Sequence, residues 1–189
     1  MLTIDTKDLI QRCLHGERAA QSQLYAHFAP KMFTVCLRYA ASREEAQDLL
    51  QDGFIKVFES LHQFRFEGSF EGWTKRVMVN QALQKIRGKT HLHALVPIND
   101  VNEPEGFSDR EILGNLDAKE LLQLVQDLPT AYRLVFNLSV FESYSHKEIA
   151  SLMRISEGTS KSNLHDARKW LQEKIRQRND DAYPKKKCL

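Results

Sequence analysis

Glycine and proline are scarce in this 189-residue chain, with 8 and 5 copies, and runs of alternating apolar and polar residues are nearly missing. Strands leave a period of two and are punctuated by turn residues, so a sheet-based fold is excluded. The 3.6-residue periodicity of several segments implies an all-α protein. No apolar run approaches the roughly 18 residues a membrane span needs. The N-terminal "MLTIDTKDLIQRCLHGE" meets acidic and polar residues too early for a secretion signal. The three cysteines, Cys13, Cys36 and Cys188, are far apart and form no CxxC, which points to a reducing cytoplasm. Walker, GxGxxG and GxSxG elements are missing too. His91 and His93 are the one close histidine pair, with no third ligand at metal spacing, so no metal or cofactor is expected. An enzymatic reading has no residues to rest on.

What is present is patterned charge. The formal net charge is only +2, yet residues 65–89 hold six Lys/Arg against two acids, and 159–178 hold six against two. Residues 95–120 hold seven acids against two bases. Two basic segments separated by an acidic one suit two anion-facing modules joined by a stretch that repels the same anion, although charge counts alone equally suit solvated faces.

Helices are expected over about 6–15, 17–40 (bent near Pro30), 42–61 and 69–87. The third has a capping box in Ser42 and Glu45 and a buried stripe of Leu49, Leu50, Phe54, Val57, Phe58 and Leu61. "QFRFEGSFEGW" (63–73) reads as a loop entering the fourth helix. The stretch from 88 to about 115 is acidic, contains Pro97 and Pro104 and lacks periodicity, which suits a flexible linker. Helical patterning resumes at Leu116, breaks at Pro129, and ends in a polar tail, "RNDDAYPKKKCL". The organisation expected is a helical domain at 6–90, a linker at 91–115, a second helical domain at 116–178 and a disordered tail at 179–189.

"SHKEIASLMRISEGTSKSNLHDARKWL" (145–171) reads as two short helices joined at "RISEG". Ser145 and Glu148 form a second capping box, Ile149 and Ala150 sit where one helix crosses the other, and Ser156 caps the second helix. That helix buries Leu164, Ala167 and Leu171. Thr159, Ser162, His165, Asp166 and Lys169 face away, and Lys161 and Arg168 flank the stripe. Short hydrogen-bonding side chains for base edges, with longer cations for phosphates, are what a recognition helix needs. Asn163 belongs to the same candidate DNA-contacting set.

On the helix at 42–61, Asp48, Asp52, Ile55 and Glu59 share a face opposite the core stripe. An exposed apolar side chain ringed by carboxylates suits protein docking. On the next helix Arg76, Asn80 and Arg87 lie roughly in line, with Lys75, Gln84 and Lys85 nearby. The preceding loop offers Arg65, Phe66, Gly68 and Ser69. Arginine holds phosphates, asparagine pairs with a base edge, and a glycine-containing loop beside them can receive an unstacked base. Phe64, Phe70 and Trp73 are expected in the core; Phe66 suits either role.

The run Leu128-Pro129, Glu148-Ile149-Ala150, Ile155-Ser156, Gly158-Thr159 and Ala167-Arg168 resembles the C-terminal DNA-binding region (region 4) of bacterial extracytoplasmic-function (ECF) sigma factors. Ala46, Asp48, Gln51, Phe54, Phe64, Phe70, Trp73 and Asn80 fall in the order of region 2 of the same family. The resemblance implies two small helical domains, with region 2 docking through Asp48, Gln51, Asp52, Ile55 and Glu59 on the β′ clamp helices of core RNA polymerase. It further implies contact with the polymerase β flap, and reading and melting of the −10 element by Arg65, Phe66, Ser69, Lys75, Arg76, Asn80, Gln84 and Arg87 on single-stranded DNA. Thr159, Lys161, Ser162, Asn163, His165, Asp166, Arg168 and Lys169 would read duplex −35 DNA. Many such factors are also held by an anti-sigma protein. Two departures stand out: Ser160 replaces an aliphatic residue on the buried stripe, and Asp166 stands where a base is common. The rival reading is a helix-turn-helix regulator that acts without docking on polymerase.

Overall fold

The computed structural model describes residues 5–89 and 118–182; the linker expected at 91–115, the His91/His93 pair and the tail beyond 182 lie outside the described residues. The chain divides into two compact units, Met1–Thr90 and His91–Leu189. Among the described residues every regular element is helical.

In the first unit, α1 (Thr6–Leu14), α2 (Arg18–Tyr39), α3 (Arg43–Ser60) and α4 (Phe70–Lys89) pack together, with α2, α3 and α4 in mutual contact and α1 against α2. Asp5 starts α1 by accepting from the backbone N–H of Lys7 at 2.9 Å and of Asp8 at 3.3 Å. Gly16, at φ +79°, makes the turn into α2. α2 runs unbroken through Pro30, which lies on its exposed side. Its buried face, from Ala20 through Leu24, Phe28, Met32 and Cys36 to Tyr39, keeps helical spacing. Burial pushes the Cys36 thiol up to about 12, so it stays protonated at neutral pH.

α3 begins with half of the expected capping box. Ser42 Oγ accepts from Glu45 N at 3.2 Å, but the Glu45 carboxylate accepts from Ala41 N at 2.7 Å, one residue ahead of the cap. The expected stripe is buried except for Phe58, which is half-buried. Gly53 lies on the same side and packs against Met78 of α4 so closely that a Cβ would overlap the Met78 sulfur. Gly53→Leu is therefore expected to cost about 1–3 kcal/mol through overpacking. A lowered thermal midpoint by circular dichroism checks this.

The second unit contains α5 (Ala118–Asp127), α6 (Thr130–Phe136), a π-helical turn (Asn137–Phe141), α7 (His146–Met153) and α8 (Glu157–Ala182). α5, α6 and α7 all pack on α8. Buried Arg133 donates from Nη1 to the Gln126 carbonyl at 2.7 Å, tying α6 to the end of α5. The Ser145–Glu148 capping box is complete. Ser145's hydrogen bonds hold the Glu148 carboxyl below its ordinary range, so this cap persists at neutral pH and weakens as acid protonates it.

The turn between α7 and α8 is made by Arg154 at φ +55°, with Ile155 N donating to the Ala150 carbonyl at 3.0 Å. Gly158 is already inside α8. α8 also continues through Ala182, four residues into the stretch expected to be disordered. Between Gly158 and Pro184 the sequence has no glycine or proline, so neither breaker stops the helix sooner.

Candidate nucleic-acid and polymerase interfaces

On α3, Asp48, Gln51, Asp52, Ile55 and Glu59 are all exposed, and Ile55 shows 58% of its surface. They sit on one face because their spacings of three, four and seven return to the same side of the helix. The rim is not purely acidic. Lys85 reaches from α4 to Asp52 at 3.1 Å and Asp48 at 3.9 Å, while Lys56 meets Glu59 at 3.2 Å. Such exposed pairs are worth about 0–1 kcal/mol, so an incoming cation can displace them. Lys85, which the sequence places near the line of Arg76, Asn80 and Arg87, is thus engaged by the α3 carboxylates. It lies five residues from Asn80, well over 90° around the axis, and turns toward α3.

The outer face of α4 presents Arg76, Asn80 and Gln84 to solvent; Lys75 and Arg87 are half-buried. Ahead of it, the loop exposes Arg65, Phe66, Gly68 and Ser69. Ser69 Oγ accepts from Gly72 N at 3.0 Å and so caps the start of α4. Phe64 and Phe70 are buried and Trp73 half-buried, with ring centroids 5.2–5.6 Å apart in an aromatic cluster that anchors the loop. Phe66 extends from that cluster, 5.0 Å from Phe64, and is 39% exposed. Its φ is +60°, a left-handed backbone unusual for so bulky a residue.

On α8, Lys161 and Lys169 are exposed, and Thr159, Ser162, His165, Asp166 and Arg168 are half-buried. The N-terminal turn is fixed by Ser156, whose Oγ accepts from Thr159 N at 2.9 Å. Ser160 is buried and its hydroxyl meets His146 Nδ1 at 2.9 Å, which joins the two helices of the motif where an aliphatic contact is usual. Asn163, counted among the DNA contacts, is corrected by the structure: it is 2% exposed. It stands three residues after Ser160 and four before Ala167, in the middle of the buried stripe, a spacing the sequence already displayed. The Tyr132 hydroxyl donates to Asp166 at 3.4 Å. Burial, and then the Asp166 charge, raise the Tyr132 hydroxyl above its ordinary range. The Asp166 carboxylate is thus steered toward α6 rather than standing alone on the outer face.

A sigma-70 region 2 family model matches residues 24–91, and a sigma-70 region 4 model matches 118–171. The ECF RNA polymerase sigma factor SigE of Mycolicibacterium smegmatis is 27% identical over 178 residues, covering 88% of this chain and 67% of that protein. The RNA polymerase sigma-H factor of Pseudomonas aeruginosa is 29% identical over 178 residues, covering 86% and 89%. The chain belongs to the ECF sigma factors. Among solved structures, the sigma factor RpoE of Bartonella quintana, crystallised with the anti-sigma factor NepR, shares the fold at a TM-score of 0.51 and 20% identity, over 82% of this sigma factor and 96% of that chain.

In the sigma factor, the α3 face and the α4 face therefore lie within the region 2 match, and the α7–α8 motif lies within the region 4 match. Lys161→Ala is expected to weaken duplex binding of the holoenzyme across many upstream sequences and to lower the log–log salt slope by about 0.9, as loss of one phosphate contact does. Titrations on several promoter variants at different salt concentrations check this; an effect confined to one sequence would point to base reading instead.

Proposed function

We propose that this sigma factor binds core RNA polymerase and carries it to promoters by holding two DNA elements at once. Residues 6–90 act as region 2. Ile55 and the surrounding Asp48, Gln51, Asp52 and Glu59 dock on the β′ clamp helices. The outer face of α4, with Arg65, Phe66 and Ser69 of the preceding loop, engages the −10 element as it melts. Residues 116–178 act as region 4, with Thr159, Lys161, Ser162, His165, Arg168 and Lys169 reading the −35 duplex and the same unit meeting the β flap. Binding energy drives the opening of DNA, so the protein needs no catalytic group, metal or cofactor, and its place of work is the cytoplasm, with the polymerase. An anti-sigma protein is a further partner, as for the Bartonella factor whose structure shares the fold.

The observation that carries this reading is Ile55, an apolar side chain 58% exposed at the centre of a charged rim. A helix-turn-helix regulator that acts on DNA alone leaves such a face unexplained. Co-elution with purified core polymerase on size exclusion, at micromolar concentrations of both, tests it. A stable stoichiometric complex is expected; duplex DNA binding without polymerase association would favour the regulator.

A further inference from the structure

The docking and DNA-contacting residues named so far lie on α3, α4, α8 or the loop before α4, yet one cation from α1 stands at that loop. The Lys7 ammonium lies 5.9 Å from the centroid of the Phe66 ring. α1 packs against the short 3-10 turn at Leu61–Gln63 that leads into the loop, so the two are held together by the fold and not by the lysine alone. We propose that Lys7 is a phosphate-binding residue of the base-capture site, neutralising the backbone of the single-stranded nucleotide whose base stacks on Phe66. The proposal rests on the reading of the 64–69 loop as the place that receives an unstacked −10 base.

Three observations support it. First, Phe66 holds a left-handed backbone at φ +60° while leaving 39% of its surface open. A bulky residue kept in that conformation marks a position whose surroundings hold it for a purpose, here an aromatic surface offered to solvent. Phe64 backs the ring from inside at 5.0 Å, and Gly68, at φ +95° with open space beside its Cα, leaves room for a guest.

Second, Lys7 is anchored at its backbone but not at its head. Its N–H is bound by Asp5 at 2.9 Å, and the neighbouring Asp8 carboxylate is engaged by Arg12 at 3.5 Å. Among the described residues no carboxylate pairs with Lys7 itself. An exposed cation–π contact is weaker than a charge-assisted hydrogen bond to phosphate. The ammonium can therefore pivot from ring to phosphate by side-chain rotation, freeing the ring for the base.

Third, the loop needs the charge. Glu67, exposed next to Phe66, is unfavourable for a nucleotide backbone, and Arg65 is the loop's only cation. A lysine supplied from a separate helix offsets that carboxylate, and base stacking combined with a flanking cation is the general solution for holding single strands.

The test uses holoenzyme and fork-junction DNA from a promoter found by start-site mapping, with 2-aminopurine placed in turn at each single-stranded −10 position. Four proteins are compared: wild type, Lys7→Met, Lys7→Arg and Phe66→Gly, the last chosen because glycine accepts a positive φ. Phe66→Gly should abolish the fluorescence change at one position. Lys7→Met should weaken fork binding by about tenfold and lower the salt slope by about 0.7, the single-strand increment. Lys7→Arg should restore both. If Phe66→Gly loses the signal while Lys7→Met binds with unchanged affinity and slope, the lysine has no such role and the proposal is wrong. If Phe66→Gly leaves every position unchanged, the base-capture reading itself falls, and the proposal with it. Equal losses in Lys7→Met and Lys7→Arg would also overturn it, since charge would not be the property that matters.

Discussion

Asp52→Lys is expected to lower the affinity for core polymerase by about 30-fold or more, the scale of losing one interface hot spot. Asp52 is one turn from Ile55 and bonded to Lys85 at 3.1 Å. Reversing its sign removes the carboxylate that the proposed docking face would offer a basic partner and sets the introduced lysine against Lys85. The folded state should hardly notice, because exposed ion pairs contribute so little; an unchanged circular-dichroism melt is the control. The double variant Asp52→Lys/Lys85→Asp restores an internal pair but not the acid at position 52. It should melt like the wild type and still dock poorly. Recovery of docking in the double variant would mean that the pair, not the acidic rim, is what the polymerase needs. Glu59→Lys, further along the stripe and paired with Lys56, should cost less.

The second large effect concerns DNA opening. Arg76→Ala/Asn80→Ala should reduce open-complex formation by about 30-fold or more while polymerase association stays within about twofold. Each lost base or phosphate contact is worth about 1–3 kcal/mol, and the two side chains are exposed one turn apart on α4, away from the Asp52 face. Permanganate reactivity of promoter thymines measures opening directly, and co-elution measures association on the same protein. A parallel fall in both would place Arg76 and Asn80 in the docking surface instead.

Helix positions were legible because burial imposes a period on the sequence. The stripe at Leu49, Leu50, Phe54, Val57 and Leu61, with Phe58 only half-buried, and the one at Leu164, Ala167 and Leu171 are buried as their spacing implies. Both capping serines do what their sequence context suggests, although Glu45 reaches Ala41 rather than closing the box. Apart from Asn163, whose burial the spacing already displayed, what escaped depends on a partner element. Asn163 looked like a DNA contact because asparagine is polar, yet its position on the wheel outweighs its chemistry. Lys85 was expected only near the line of Arg76, Asn80 and Arg87, but a four-carbon stem on the side of α4 that meets α3 finds the carboxylates there. The π-helical turn at Asn137–Phe141 leaves no mark in apolar spacing. Lys7 could not be linked to Phe66 at all, since 59 residues separate them and only tertiary packing brings α1 to the loop. The strained backbone at Phe66 and Arg154 was equally hidden, because neither residue is a type that favours positive φ.

Initiation itself tests the account most directly. Core polymerase with and without this protein is supplied with genomic DNA from the same organism, and the 5′ ends of the transcripts are mapped. A set of start sites that appears only with the protein, shares two upstream elements, and vanishes with Asp52→Lys is the predicted result. Transcription that never depends on the protein, despite intact duplex binding, would contradict it.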